Sequence, residues 1–444
     1  MARFSRISPV IGFLLAFISF LLAFIGCFWA FASLPGCGLG AAAALSALLA
    51  AALAACLLPL RHARRELLLL CAILGALLLT LRVRCFYVET SDYTDFLLPW
   101  SERLRAGGQF RALGQPVGNY NIPYLTLLAL FAYFDVPVLY LIKLTSVLFD
   151  LLLAFCAGGL VRQAGGDEDR RALCFLAALV LPTVFLNGAV WGQCDSIYVS
   201  LGLLGLLLCL RGKPAWGMLA FGLSFAFKLQ AVFLLPVVLL LLFAGKVKWY
   251  QLPLFPAAYL AAVSPAMLAG RGFLDTLLIY INTASTAGSS LNYNSPSMYS
   301  LLYFYRLNDT NAAAKAGILA AFFFCVLVFV LFFLRRKRIT DRSLLLAALL
   351  FTLALPLLLP HMHERYFYFV DILTLVVACL TRFGSVTVLC SQFASLLGYH
   401  AYFFLRYLLP MRRGFWALVF VLGYAGFLTV RELCSPEKLP KIRN

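Results

Sequence analysis

The acid best placed for chemistry is Asp92, which follows the third long apolar run of the chain. A carboxylate at that position could act as a general base and take the proton from an incoming hydroxyl group. Asp95 lies three residues later and is the competing acid. A solvated loop carboxylate without a catalytic role is the alternative interpretation of either residue.

A late segment, residues 361–365 (HMHER), directly follows an apolar run and holds two of the four histidines of the chain. His361, His363 and Arg365 could hold a phosphate group, because imidazole and guanidinium are hydrogen-bond donors and arginine binds phosphate in a bidentate manner. The histidines together with Glu364 could instead bind a metal. On a helix, however, residues two apart do not share a face, so we predict no metal here. Interfacial charges that cap helix ends are the structural alternative.

Three further polar positions are associated with apolar runs. Lys228 lies near the outer end of a helix predicted at residues 215–229, and we expect its ammonium group to snorkel to the interface and meet a phosphate. Lys143 and Asp150 are seven residues apart on one predicted helix, and ionisable residues inside a membrane usually face a partner. We therefore predict that they form a structural ion pair. Trp191, in the polar run WGQCDS, could contact a sugar ring.

These side chains must be positioned by helices in lipid. The chain is 63% hydrophobic and only 12% charged, whereas a soluble domain carries about 25% charged residues. Apolar runs of roughly 20 residues, the length of one helical crossing, recur along the sequence. The +18 net charge lies mostly in short clusters between these runs, as expected for cytoplasmic loops. The lipid bilayer is therefore a predicted partner, and nucleic acid is excluded.

Alternating the basic clusters with the apolar runs predicts about 14 spans with both termini cytoplasmic. The first three are predicted at residues 10–32, 41–60 and 67–85. The run Ile122–Phe134 is 13 residues long and too short to span. Counting it as a surface helix places every later basic cluster inside, and counting it as a span places them all outside. The charge rule therefore predicts surface helices at Phe96–Arg105 and Ile122–Phe134.

This topology describes one membrane domain over residues 1–444, with outer loops at residues 86–136 and 270–311. It places five polar segments on the outer face. They are residues 91–95, 118–121, 191–196, 292–296 and 361–366. Five separated segments on one face predict an assembled polar site. An enzyme would use such a site, but a multi-pass transporter or a lipid or polysaccharide flippase remains the alternative, favoured by Lys143 and Asp150 near the midplane.

At these residues the chain resembles the GT-C membrane glycosyltransferases, and most of all bacterial mannosyltransferase-like proteins related to the GPI second-mannosyltransferase. The matching segments, in order, are Asp92-Tyr93 followed by Pro99-Trp100, then Asn119–Tyr124, Trp191–Ser196, Phe227–Gln230 and His361–Tyr366. The eukaryotic dolichyl-phosphate-glucose transferases are similar in layout. They differ in having two prolines where this chain has Pro123 alone, and in having a lysine where Arg365 keeps the cation.

The resemblance implies an all-α polytopic transmembrane helix bundle with surface helices in the first long outer loop. It also implies an enzyme that moves a hexose such as mannose, with inversion, from a polyprenyl-phosphate donor to a hydroxyl of a glycan, lipid or protein acceptor. No cofactor is expected, since a donor with a single phosphate has less need of a divalent metal. The location implied is the bacterial plasma membrane, or the ER membrane in a eukaryote.

The same resemblance assigns roles to individual residues. Asp92 is the implied catalytic base, and His361, His363 and Arg365 are the implied contacts of the donor phosphate. Asp195 and Lys228 are expected to line the same cavity, and Asp95 ranks below Asp92 because it has no clear counterpart. The complete set of predicted substrate-binding residues is Asp95, Asn121, Trp191, Gln193, Asp195, Lys228, His361, His363, Glu364 and Arg365.

Overall fold

A computed structural model describes residues 9–281, 290–301 and 310–434. The chain is about 78% helical with almost no strand. Long apolar segments form helices because only a helix satisfies all of its own backbone polar groups within one segment in lipid. The predicted all-α polytopic helix bundle is therefore confirmed.

The helices are numbered here in chain order. They are α1 (Pro9–Ala32), α2 (Leu39–Leu57), α3 (Arg65–Arg84), α4 (Leu98–Ala106), α5 (Ile122–Phe131), α6 (Val138–Gln163), α7 (Glu168–Val180), α8 (Pro182–Phe185), α9 (Asp195–Leu210), α10 (Pro214–Phe227), α11 (Pro236–Phe243), α12 (Leu254–Leu268), α13 (Phe273–Leu277), α14 (Thr310–Leu334), α15 (Asp341–Leu358), α16 (Tyr368–Leu380), α17 (Gly384–Phe404) and α18 (Arg412–Cys434). Two short parallel strands, β1 (Asn292–Tyr293) and β2 (Met362–His363), pair with each other.

Eight helices of the described residues are each long and apolar enough to cross a bilayer. A ninth span results if α7 and the segment Pro182–Trp191, which meet at an angle of 53°, are counted together. Several shorter apolar helices, among them α9, α10 and α16, have 10–17 residues. The predicted total of about 14 spans includes such shorter helices and stays a prediction.

The two predicted helices of the first outer loop are present as α4 and α5. Asn121 caps α5, since its Oδ1 accepts a hydrogen bond of 2.9 Å from the backbone N–H of Ile122. Both helices are too short to span a bilayer, in agreement with their assignment as surface elements. Their position at the outer membrane surface stays a prediction.

The predicted ion pair between Lys143 and Asp150 is wrong. The Lys143 ammonium donates to the backbone carbonyls of Cys85 and Val88, at 3.1 and 2.5 Å. Asp150 Oδ2 lies 3.4 Å from Arg82 Nε, and both of these side chains are fully buried. Seven residues on a helix are about 10 Å apart along its axis, so each side chain of α6 takes a closer partner on or just after α3. These contacts fix the chain that leads to Asp92.

Some of the predicted topology lies outside the described residues. This applies to the two ends of the chain, residues 1–8 and 435–444, which were predicted to be cytoplasmic. It also applies to residues 282–289 and 302–309 of the predicted outer loop 270–311. The described part of that loop contains α13 and β1.

Candidate active site

Three separate segments of the chain meet around the side chain of Arg365. Its Nη1 lies 2.8 Å from Glu364 Oε1 and 3.9 Å from Asp92 Oδ2, and its Nε lies 3.5 Å from Asp195 Oδ2. The guanidinium carbon is 5.2 Å from the centre of the Trp191 ring. Only 13% of the Arg365 side chain is exposed. Three carboxylates therefore share one guanidinium in a largely enclosed position.

The two carboxylate oxygens of Asp92 have different environments. Oδ2 accepts a hydrogen bond of 2.9 Å from Trp191 Nε1 and a second one from Gln193 Nε2. None of the residues described by the structure donates to Oδ1, and 23% of the side chain is exposed. One oxygen is thus held in place, and the other is free to meet a ligand.

A break in the helix that follows α6 brings Trp191 and Gln193 to Asp92. Pro182 begins α8 directly after the bend, where its missing N–H cannot continue the hydrogen bonds of α7. The wider helical turn Leu186–Trp191 then ends at Gly192, whose φ of +77° is a left-handed conformation that favours glycine. This turn directs both donors to one carboxylate oxygen.

A second break positions Lys228. The residue has an extended backbone (φ −155°, ψ 134°) between α10 and the turn Leu229–Phe233. Its Nζ pairs with Oδ1 of the fully buried Asp195, whose Oδ2 accepts a hydrogen bond of 2.9 Å from Asn187 Nδ2. Lys228 is therefore held by a buried carboxylate, as a largely enclosed charge needs a partner. The position of its ammonium group at the membrane interface stays a prediction.

Loss of one member of this pair is expected to destabilise the protein. Lys228→Met removes one of the two cations beside the buried Asp195 carboxylate and leaves only Arg365, at a cost of about 3–5 kcal/mol in the free energy of unfolding. The double variant Lys228→Met/Asp195→Asn removes both charges and should lose clearly less. Thermal unfolding in detergent measures both.

The pair of Lys246 and Asp341 provides a matched control. Their atoms are 2.7 Å apart, but 34% and 19% of the two side chains are exposed. Lys246→Met should therefore cost only about 0–1 kcal/mol. Equal losses for Lys228→Met and Lys246→Met would contradict the assignment of the Lys228 pair as a buried one.

The two histidines of the late segment lie against residues 290–294. His361 Nδ1 is 2.7 Å from the carbonyl oxygen of Ser290. The His363 ring stacks on Tyr293, with centroids 4.6 Å apart and planes 9° apart. The prediction that no metal binds here assumed that the two histidines lie on a helix. That assumption is wrong, because Met362–His363 is a strand. His363 lies beside the carboxylate cluster, 3.9 Å from Glu364 Oε2.

Burial and neighbouring charges set the ionisation of this segment. Burial of the imidazole, with Arg365 and Lys228 nearby, lowers the pKa of His363, so the ring is neutral near pH 7. Burial raises the pKa of Glu364, although the adjacent Arg365 opposes that shift. With all groups ionised, the three carboxylates and the two cations of the cluster have a net charge of −1.

The structure brings most of the predicted site residues together. Those in the cluster are Asp92, Trp191, Gln193, Asp195, Lys228, His363, Glu364 and Arg365. Asp95 is exposed and accepts a hydrogen bond of 3.1 Å from its neighbour Thr94. His361 contacts the segment at Ser290. Asn121 Nδ2 donates to the carbonyl of Ala226 at 2.8 Å, so this side chain supports the loop structure beside Lys228.

Several aromatic and amide groups around the cluster were not predicted from the sequence. Tyr120 donates to Gln193 Oε1 at 3.3 Å, and Asn187 supports Asp195. Tyr402, near the end of α17, stacks on Trp191 with ring centres 3.9 Å apart. Tyr120 lies in one of the polar segments, but aromatic residues near helix ends are common at membrane interfaces, so no signal distinguished Tyr402. Among the described residues no group of three His, Cys, Asp or Glu side chains could hold a metal ion.

The family model of Glycosyltransferase family 87 matches residues 119–360 of the chain. Asn121, Trp191, Gln193, Asp195 and Lys228 lie within the matched segment. Asp92 precedes that segment, and the segment of His361–Arg365 follows it directly. No curated protein matches the chain.

Proposed function

Because the chain belongs to glycosyltransferase family 87, we propose that it moves a hexose from a polyprenyl-phosphate donor to an acceptor hydroxyl group. Mannose is the first candidate, as in the mannosyltransferase-like proteins that the chain resembles. The family makes the protein a membrane glycosyltransferase of the GT-C type, which favours an enzyme over a transporter or flippase. The observation that carries the proposal is a fixed carboxylate with one free oxygen, in a cluster that also contains two largely enclosed cations.

Asp92 is the proposed base. The acceptor hydroxyl donates to Oδ1, which is the free oxygen, and its proton passes to Asp92 as the hydroxyl oxygen bonds to C1 of the sugar. The bond between C1 and the phosphate oxygen breaks on the opposite side, and the configuration at C1 is inverted. Trp191 and Gln193 hold Oδ2 during this step, so the geometry of the base is set before substrate binds.

Arg365 and Lys228 are the proposed ligands of the leaving phosphate, whose charge increases as the bond breaks. Each is bound to a carboxylate in this structure, so the phosphate must share these cations with Glu364 and Asp195. Arginine has five N–H donors, and Glu364 accepts a hydrogen bond from only one of its three nitrogens, Nη1. His363, which is neutral, can donate one further hydrogen bond. Arg365, Lys228 and His363 together form the proposed phosphate site.

The lipid donor gives a physical reason for the membrane setting. The polyprenyl tail would lie between apolar helices while its phosphate reaches the polar cluster. We place this reaction on the extracytoplasmic face of the plasma membrane, because the charge distribution puts the polar loops on the side opposite the basic clusters. The acceptor is a hydroxyl of a glycan, a lipid or a protein.

The decisive experiment supplies purified protein in lipid nanodiscs with radiolabelled polyprenyl-phosphate mannose or polyprenyl-phosphate glucose. Nucleotide sugars of both hexoses are the parallel donors, and glycolipid and glycan extracts are the acceptors. We expect label transfer from a lipid donor alone, with inverted anomeric configuration in the product by NMR. Transfer from the nucleotide sugars alone would refute the proposed donor. The Asp92→Asn variant in the same assay shows whether this site makes the product.

Metal dependence can be tested in the same assay. The proposed phosphate site uses side-chain cations, and we expect the rate to stay within about twofold of its initial value in excess EDTA. Loss of activity that Mg²⁺ or Mn²⁺ restores would contradict the prediction that no metal takes part.

A further inference from the structure

Tyr402 contacts the backbone of Asp92 and also Trp191, a residue that binds the Asp92 side chain. Its hydroxyl oxygen accepts a hydrogen bond of 3.2 Å from the backbone N–H of Asp92 and lies 3.0 Å from Ser91 Oγ. Its ring stacks on Trp191, with centroids 3.9 Å and planes 22° apart. Trp191 in turn donates to Asp92 Oδ2. One residue of α17 therefore meets the proposed base by two routes.

The Tyr402 hydroxyl supplies a hydrogen-bond acceptor for the backbone N–H of Asp92, which has no acceptor in the local backbone. Asp92 precedes the helical turn Tyr93–Leu97, where the first N–H groups have no carbonyl partner within the helix. The N–H groups of Tyr93 and Thr94 are both satisfied by the carbonyl of Thr90. Asp92 instead donates to the Tyr402 hydroxyl. That bond fixes the backbone position from which the carboxylate extends.

The ring contact restricts Trp191. Besides the stack with Tyr402, the indole meets Tyr399 edge-on at 5.3 Å between ring centres, and it is only 1% exposed. Offset-stacked and edge-on contacts of aromatic rings stabilise one orientation. A reoriented indole would lose its hydrogen bond to Asp92 Oδ2, so the stack also preserves the orientation of the carboxylate.

We propose that Tyr402 is a positioning residue of the transferase. Its hydroxyl and its ring together hold Asp92 so that Oδ1 faces the acceptor hydroxyl. The inference rests on the proposed role of Asp92 as the base, and it concerns a residue outside the segment that the family model matches.

Tyr402→Phe tests the hydroxyl alone, because phenylalanine keeps the stack on Trp191. A small misplacement of a reacting group can cost up to about 100-fold in rate, and we expect kcat to fall by roughly 10- to 100-fold. The KM for the lipid donor should stay within about twofold, since Tyr402 has no part in the proposed phosphate site. Tyr402→Leu also removes the stack and should lower kcat further. Equal rates for the two variants would overturn the role of the ring.

Tyr140→Phe is the matched control. Its hydroxyl donates to the carbonyl of Pro35 at 2.9 Å and has no contact with Asp92. It thus loses a comparable hydrogen bond elsewhere in the protein and should keep the kcat of the unmodified protein. A loss as large as that of Tyr402→Phe would show that any such bond matters and would overturn the proposal.

A double-mutant cycle separates positioning from general damage. If Tyr402 acts through Asp92, then Tyr402→Phe should change the residual rate of Asp92→Asn by less than about twofold. A further 10-fold loss in that background would overturn the proposal. Unchanged turnover of Asp92→Asn itself would instead refute the base assignment. If Asp92→Asn is inactive and Tyr402→Phe is fully active, only the role of Tyr402 fails.

Discussion

Replacement of Asp92 by asparagine should lower kcat by roughly 10²- to 10⁴-fold, the usual contribution of a general base. Asparagine has the same shape, and its amide oxygen can still accept from Trp191 and Gln193. The fold should therefore be preserved, and the thermal unfolding temperature should stay close to that of the unmodified protein. The KM for the donor should not rise, because the variant removes a negative charge 3.9 Å from Arg365.

Asp95 is the natural comparison, since it lies in the same short segment and carries the same group. It is exposed and outside the cluster, so Asp95→Asn should keep its turnover within about threefold, as expected of a surface substitution. Initial rates with saturating acceptor measure both variants. If Asp95→Asn were inactive and Asp92→Asn active, the base would have to be reassigned to Asp95.

Replacement of Arg365 by glutamine should reduce both activity and stability. The substitution leaves Asp92, Asp195 and Glu364 close together without the guanidinium that they share. Removing one partner of a buried charge pair costs about 3–5 kcal/mol in the free energy of unfolding. Turnover should fall at least 10²-fold, roughly the effect of removing one donor to a developing anion. Donor-binding and thermal unfolding measurements follow the two effects separately.

A second substitution distinguishes the electrostatic from the catalytic contribution of Arg365. Glu364→Gln in the Arg365→Gln background removes one of the three crowded carboxylates, so part of the lost stability should return. Turnover should not return, because the phosphate ligand is still missing. Arg365→Lys keeps the charge but loses the fork of donors. Its turnover and its stability should therefore lie between those of the unmodified protein and those of Arg365→Gln. An Arg365→Gln protein with unchanged donor affinity would refute the phosphate assignment.

The sequence determined the fold class and much of the element order. Long apolar runs dictate helices, since each helix satisfies its own backbone in lipid, whatever its neighbours are. The first three spans were predicted at residues 10–32, 41–60 and 67–85, and the structure has helices at Pro9–Ala32, Leu39–Leu57 and Arg65–Arg84. The two short helices of the first outer loop were predicted from the length of the run Ile122–Phe134 together with the charge distribution, both of which are properties of the sequence.

The pairing of charges was decided by the tertiary structure. Lys143 and Asp150 share a helix, but their partners come from the neighbouring α3 and the chain after it. Lys228 meets Asp195 because α10 ends at that residue and its backbone becomes extended. Sequence spacing fixes which side chains share one helix face, whereas an ion pair between helices depends on how those helices pack.

For the candidate site as well, some residues could be predicted from the sequence and others only from the tertiary structure. Asp92, Asp195 and Arg365 could be selected from residue type, topology and resemblance, because they are charged groups in polar segments of a hydrophobic chain. Tyr402 could not, since it is one of many aromatic residues near helix ends and meets Asp92 across 310 residues of sequence. Such a contact arises only when α17 packs against the loop after α3, and no local pattern records that packing.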